Sequence, residues 1–346
     1  MKLSEILTPI WDTETVYGES LLMVRDENGL AAAPLLFEPV EILSVTNAAG
    51  TQHYEQGKDY VIERNQLILV PGSRIFSFAV KELYPAEGEK GKSFAMPGGY
   101  VLFSEGHFFH DRQIAVTYTC KNGGWQGIRP ASAKEKLPRT FRLLEQGEPL
   151  TLLAYGDSIT AGANATKHTD AAPHQPSYSE LVALGLEARY GSKVQYINTA
   201  VGGKKAAWGL EEVEERSVAH RPDLMILAFG MNDGKTPLDT FQAQIRGIIQ
   251  ETRRACPDTE VLLVATSTPN PLLTDERAKF WGNQIEQRPY LDALAAELPG
   301  VAVADITAMQ QYLHSKKRFI DTTGNHVNHP NDFFHRLYAQ FILGML

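Results

Sequence analysis

The chain has 346 residues, 43% of them hydrophobic and 21% charged, with a formal net charge of −8. That is the balance of a globular chain long enough for two domains, and an acidic surface without a basic cluster argues against nucleic acid or an anionic membrane as its partner. No apolar run reaches bilayer length, and residues 1–12, interrupted by Ser4, Glu5 and Pro9, lack the unbroken apolar segment of a secretory signal, so a cytoplasmic location is expected.

Through about residue 120, short β-branched or aromatic-rich runs alternate with turn chemistry, the pattern of an all-β sandwich. The runs are 20–24, 41–45, 60–62, 67–70, 75–80, 100–103 and 114–118, and Arg64-Asn65 is placed as a hairpin turn. Residues 1–125 are expected to form this jelly-roll-like accessory domain. Residues 126–149, with Pro130 and Pro138 and no sustained period, read as a connector. From 150 to 346 the runs become continuously apolar, at 150–155, 194–197, 224–229, 261–265 and 301–303, as parallel strands covered on both faces require. Between them Phe241, Ile245, Ile248 and Ile249 fall on one helical face, as do Leu291, Leu294, Ala295 and Leu298, and a last helix is expected from about Asp332 to the C-terminus. Repeated β-α units predict a three-layer α/β/α fold around a five-stranded parallel sheet. Cys120 and Cys256 fall in different domains, so no disulfide is expected.

In such sheets chemistry gathers at the carboxyl ends of the strands. Four segments fall there: Gly156-Asp157-Ser158, Asn198 to Gly203, Gly230-Met231-Asn232-Asp233, and Asn328-His329-Pro330 before the last helix. A serine at a strand-to-helix turn presents its hydroxyl and its own N–H at the positive end of a helix. A glycine lets a backbone N–H approach closely, a neutral amide donates without ionising, and a histidine can take and return a proton near neutral pH. Each segment alone has an ordinary explanation as a cap, a turn or a polar loop. Four coinciding in chain order at the right strand ends do not.

Together the blocks resemble those of the SGNH hydrolases, also called GDSL-like esterases and lipases, over about residues 150–346. The resemblance implies Ser158 as nucleophile, His329 as general base and acid, and an oxyanion hole from the N–H of Ser158, the N–H of Gly203 and the side chain of Asn232. It implies no metal and no organic cofactor. Asp157 is expected to stabilise the turn.

One position departs from the pattern. The acid that orients the histidine lies three residues before it in the family, and here that residue is His326. A backbone carbonyl in a Ser-His dyad, Asp332 or Asp321 supplying the acid from elsewhere, or weak catalysis are the alternatives. His326, His329 and His335 also invite a metal reading, which fits no known ligand spacing, and His107 and His110 are read as ordinary β-domain structure. The polar loop at 164–170 after Ser158 disfavours a lipase groove, and Trp208 and Trp281 are candidate sugar-stacking residues. An N-terminal β-sandwich joined to such a catalytic domain resembles bacterial carbohydrate esterases that remove acetyl groups, so acetylated oligosaccharides of the xylo-oligosaccharide kind are the expected substrates. A short-acyl lipid esterase or thioesterase, or a catalytically decayed glycan-binding protein, are the competing readings. The β domain is expected to bind sugar, shape the active-site rim or make a homo-oligomer contact.

Overall fold

The structure is a computed structural model describing residues 1–121, 124–274 and 282–346. Its C-terminal half is built on a parallel sheet of five strands: β1 (Leu150–Gly156), β2 (Val194–Asn198), β3 (Leu224–Ala228), β4 (Glu260–Ala265) and β5 (Val301–Asp305), in the order β2-β1-β3-β4-β5. Successive residues point to opposite faces of a strand, and both faces are apolar here. Leu152, Leu224, Ile226, Leu262 and Val264 enter one core with helices Tyr178–Tyr190 and Asp332–Met345. Leu153, Tyr155, Met225, Leu227, Val261 and Leu263 enter the other, with helices Leu238–Ala255 and Gln287–Glu297. This is why the strands read as continuous apolar runs. The expected face of Phe241, Ile245, Ile248 and Ile249 is the buried one.

The N-terminal half is β-rich. Thr15–Leu22, Gln113–Cys120 and Pro39–Asn47 form one antiparallel sheet, and Ala32–Pro34, Gln66–Leu69 and Tyr60–Glu63 a second. Glu63 pairs with Gln66 across the expected two-residue turn, where Arg64 adopts φ +56°. A hairpin, Ser93–Met96 with Gly99–Leu102, forms a separate two-stranded sheet. The run at 75–80 is mostly not strand: only Phe78–Ala79 pairs, in parallel with Val24–Arg25, and a short helix starts at Val80. Residues 126–149 hold a helix, Pro138–Glu145, that the sequence pattern does not reveal; eight residues are too few to show a period, although Pro138 at its first turn is a start signal. Its Phe141, Leu143 and Leu144 are buried in the first core. Cys120 and Cys256 are both free and buried. Among the described residues no helix is long and apolar enough to cross a membrane.

The two halves share one core. Val16, Leu21, Val45, Val116 and Tyr118 of the β region lie in the same apolar cluster as Phe333, Phe341 and Ile342 of the last helix. Polar bonds cross the same boundary. Glu19, fully buried, accepts Lys317 Nζ and the N–H of Leu36 at one carboxylate oxygen and Tyr118 Oη at the other. Arg318 donates to the carbonyl of Leu22, and Arg336 to that of Gly18. Removing one partner of a buried pair leaves the other charge uncompensated. Lys317→Met should therefore lower the stability of the whole chain by about 3–5 kcal/mol. An unchanged urea unfolding midpoint would show that the pair does not join the halves.

Candidate active site

The order β2-β1-β3 puts the point where the chain reverses its direction of travel between β1 and β3, the place at the strand ends where sheets of this kind bind ligands. Gly156 closes β1 there, and a Cβ on it would stand 2.3 Å from the carbonyl oxygen of Ala228, so only glycine fits. Asp157 follows as the cap of a one-turn helix, Ser158–Ala161, its Oδ1 accepting the N–H of Ile159 at 3.0 Å. Its other oxygen accepts the N–H of Met231 at 3.3 Å, which ties this turn to the one after β3. Asp157 thus holds the turn, as expected from its position.

His329 Nε2 lies 3.0 Å from Ser158 Oγ, across 171 residues of sequence. On its far side Nδ1 is 2.9 Å from Asn164 Oδ1 and 3.2 Å from Glu105 Oε2. The Asn164 amide is oriented by its own donors: Nδ2 gives hydrogen bonds to the carbonyls of Gly106 at 2.7 Å and Gly324 at 3.2 Å, so its oxygen faces the imidazole. Both neighbours of Nδ1 are then acceptors. The proton of a neutral His329 sits on Nδ1, and Nε2 is free to accept from the serine hydroxyl. Burial by itself would raise the Glu105 carboxyl, but the hydrogen bond and charge of His329, with a further bond from Asn325, outweigh it and hold Glu105 below the ordinary carboxylate range.

The other two blocks lie against the Ser158 turn. Asn198 donates to the carbonyl of Thr160 at 2.8 Å and accepts the N–H of Ala200, fastening the loop after β2 to the Ser158 helix. A Cβ on Gly202 would stand 3.8 Å from Ser158 Cβ, and Gly203 beside it adopts φ +75°. Asn232 lies in the turn Met231–Asp233, 2% exposed, with one amide hydrogen on the carbonyl of Lys204 at 3.0 Å and a second to give. Buried Asp233 accepts the N–H of Ala206 and the hydroxyl of Thr236. Ser158, Gly203, Asn232 and His329 thus come from four loops that are bonded to one another.

Neither acid considered from the sequence reaches His329, and both assignments are corrected. The carboxylate of Asp332 accepts the N–H and hydroxyl of Thr166, at 2.9 and 2.7 Å. Asp321 accepts the N–H of Leu22 and two guanidinium bonds from Arg318, so it belongs to the contact between the halves. His326, at the family's acid position, is buried against Tyr84 and Phe109 with φ +67°. Burial pushes its imidazole down to about 3, against a hydrogen bond to the backbone of Leu102. His335 stacks on Tyr178 and meets the carbonyl of Ala163, so the three histidines of the metal reading point into different surroundings. His107, in a turn, pairs with Asp111 at 2.6 Å, and His110, at the start of the 3-10 helix His110–Arg112, with the carbonyl of Ala172 at 2.7 Å. Trp208 is half-buried: it packs on Tyr155 beneath Lys204 and Arg216, against the second core. Trp281 lies outside the described residues.

Burial pushes the Asp157 carboxyl up to about 7; the Asp233 charge adds to the rise, and the N–H groups of Ile159 and Met231 with the charge of His329 oppose it. An acid whose folded pKa exceeds its unfolded value binds its proton longer in the folded state. Its contribution to stability is full below the unfolded value of 3.8 and is lost as pH rises through about 7. Asp157→Asn removes that dependence, so the stability of the variant relative to the parent should rise between those limits by on the order of 1–4 kcal/mol. Urea unfolding at the two ends measures it, and a flat difference would put Asp157 in the ordinary carboxylate range.

No curated protein matches the chain. Among solved structures, it is similar to a two-domain esterase active on acetylated mannans, at 20% identity and a TM-score of 0.49 over 62% of this chain and 54% of that one. It spans about half the length of that enzyme. It is also similar to an acetylxylan esterase from Geobacillus stearothermophilus, at 18% identity and a TM-score of 0.47 over 57% and 93% of the two chains. A GDSL-like lipase from Parabacteroides merdae resembles it at 19% identity and a TM-score of 0.46, over 57% and 96%. The model of the GDSL-like lipase/acylhydrolase family matches residues 154–337, more than half of the chain and all four motif blocks, and the chain belongs to that family.

Proposed function

We propose that the chain is a serine esterase that removes short acyl groups, acetyl above all, from carbohydrate esters of the xylo-oligosaccharide kind through an acyl-enzyme. The observation that carries the reading is the contact of His329 Nε2 with Ser158 Oγ at 3.0 Å, with Nδ1 held by two acceptors behind it. In the first half-reaction His329 takes the hydroxyl proton as Ser158 Oγ bonds to the ester carbonyl carbon, and the carbonyl oxygen becomes an oxyanion. The N–H of Ser158, the N–H of Gly203 and the second amide hydrogen of Asn232 are its donors. His329 then gives its proton to the departing alcohol. In the second half, His329 deprotonates a water that attacks the acyl carbon and returns the proton to Ser158.

The short-acyl preference rests on the surroundings of Ser158. Asn164, Asn232 and His329 are polar, and the adjoining loop at 164–170 is polar as well, so little apolar surface is offered to a long chain. The decayed-site reading draws on His326 alone, and the two acceptors on His329 Nδ1 count against it.

On p-nitrophenyl esters from two to twelve carbons and on acetylated xylo-oligosaccharides, activity should be confined to the shortest acyl groups. Ser158→Ala and His329→Ala should abolish it, and Asn232→Ala should lower kcat by about 10²–10³. Turnover that survives Ser158→Ala would sink the mechanism. A preference for long chains would move the substrate to lipid or thioester.

A further inference from the structure

Resting on the Ser158–His329 reading, we propose that the active centre is completed across the two halves of the chain: Glu105, carried by the N-terminal β region, is the positioning carboxylate of His329, while Asn164 sets its tautomer. A half-exposed carboxylate beside a histidine is often a surface pair worth under about 1 kcal/mol. Three features separate Glu105 from such a pair.

The first is that its orientation is imposed. Asn325 is fully buried, and its Oδ1 accepts the backbone N–H groups of Val327, Asn328 and His329 at 2.9, 2.9 and 3.1 Å. With that oxygen committed, its Nδ2 can only donate outward, to Glu105 Oε1 at 3.2 Å and Asn328 Oδ1 at 3.1 Å. One oxygen of Glu105 is therefore held by the loop that carries His329, which leaves Oε2 facing Nδ1 at 3.2 Å.

The second is that the neighbouring residue takes part. The carbonyl of Gly106 accepts Asn164 Nδ2 at 2.7 Å and so helps turn the Asn164 oxygen toward the imidazole. Two adjacent residues of the β region reach both acceptors of one N–H.

The third is that the segment is anchored on the catalytic half. Just before it, Val101 of the hairpin is buried with Leu273 and Val327, and the carbonyl of Ala95 accepts the N–H of Thr274 at 2.9 Å. His326 reaches the opposite way, into Tyr84 and Phe109 of the β region. The side chain at the family's acid position fastens the β region down, and the β region returns a carboxylate.

The two acceptors divide the work. A neutral amide can hold Nδ1–H but brings no charge to the imidazolium that forms when Ser158 loses its proton; a carboxylate brings that charge. In serine proteases, loss of the carboxylate also loses the tautomer and costs about 10⁴. Here Asn164 keeps the tautomer, so Glu105→Gln should lower kcat by about ten- to a hundredfold, less than that precedent, with KM little changed. The acid limb of the kcat/KM profile should move to lower pH, because an imidazolium without its carboxylate is less favoured. Asp157 and His335 also act on His329 electrostatically and are unchanged in the variant. Formate should restore part of the activity of Glu105→Ala, which a merely structural role would not allow. Labelling of Ser158 by a fluorophosphonate should slow in parallel with kcat, and the downfield Nδ1–H proton resonance of His329 should shift in Glu105→Gln. Parent-like kcat and pH profile in Glu105→Gln, with an active parent, would overturn this proposal and leave the serine esterase standing. A parent that neither turns over esters nor labels at Ser158 would overturn the esterase instead; the proton resonance then tests the contact alone, and its indifference to Glu105→Gln would overturn that too.

Discussion

An imidazole that accepts a proton from serine at Nε2 must carry one at Nδ1, and that N–H has to be held while the ring becomes cationic. This requirement shapes the structure around His329. It is met by an amide from the loop after Ser158 and by a carboxylate from the other half of the chain. Because the carboxylate comes from the β region, the geometry of the site depends on how the halves are joined. The buried Glu19–Lys317 pair, the Arg318–Asp321 contacts with Leu22, and the bonds of Asn331 to Ser20 and Gln113 are the polar links of that joint.

The Ser158 side is fixed by a different means. Backbone turns at three strand ends are fastened to one another by short polar side chains: Asp157 from β1 to β3, Asn198 from β2 back to the Ser158 helix, and Asp233 from β3 to the loop after β2. Each link is local in space and starts from a side chain of a motif block. Gly156 and Gly230 allow the close approach, since a Cβ on the second would stand 2.4 Å from Gln287 Oε1. Buried carboxylates at such positions are costly unless bonded, which is why Asp157 and Asp233 accept backbone N–H groups and why both carboxyls are pushed upward by burial.

What the sequence made legible follows from this division. The five parallel strands were visible because burial on both faces writes itself as consecutive apolar residues, and Ser158, Asn232 and His329 because the strand-end loops keep their residues close in sequence. The paired β-rich region was visible as alternating runs, although the extent of its strands was not, since the run at 75–80 is apolar for packing around Phe78 more than for pairing. Helix Pro138–Glu145 was too short to show a period. Asn164 stands inside the loop already noted as polar, and only its left-handed backbone, φ +61°, and its two carbonyl partners single it out. Glu105 had no signal at all. It lies 224 residues from His329, in a segment without a motif, and nothing in its neighbours distinguishes it from surface glutamates.

The departure at His326 was legible as a loss, and the structure accounts for it as an exchange. With φ +67°, His326 turns its side chain away from His329 and into the aromatic side chains of the β region, where burial keeps the imidazole neutral. A carboxylate there would be buried against the aromatic rings of Tyr84 and Phe109, where an ionised group is costly. The same docking brings Glu105 over Nδ1 from the other side. Docking the β region and removing the acid from its usual place are thus two aspects of one arrangement: a residue that serves as an apolar anchor cannot also serve as an ionised partner, and the segment it anchors supplies the missing charge.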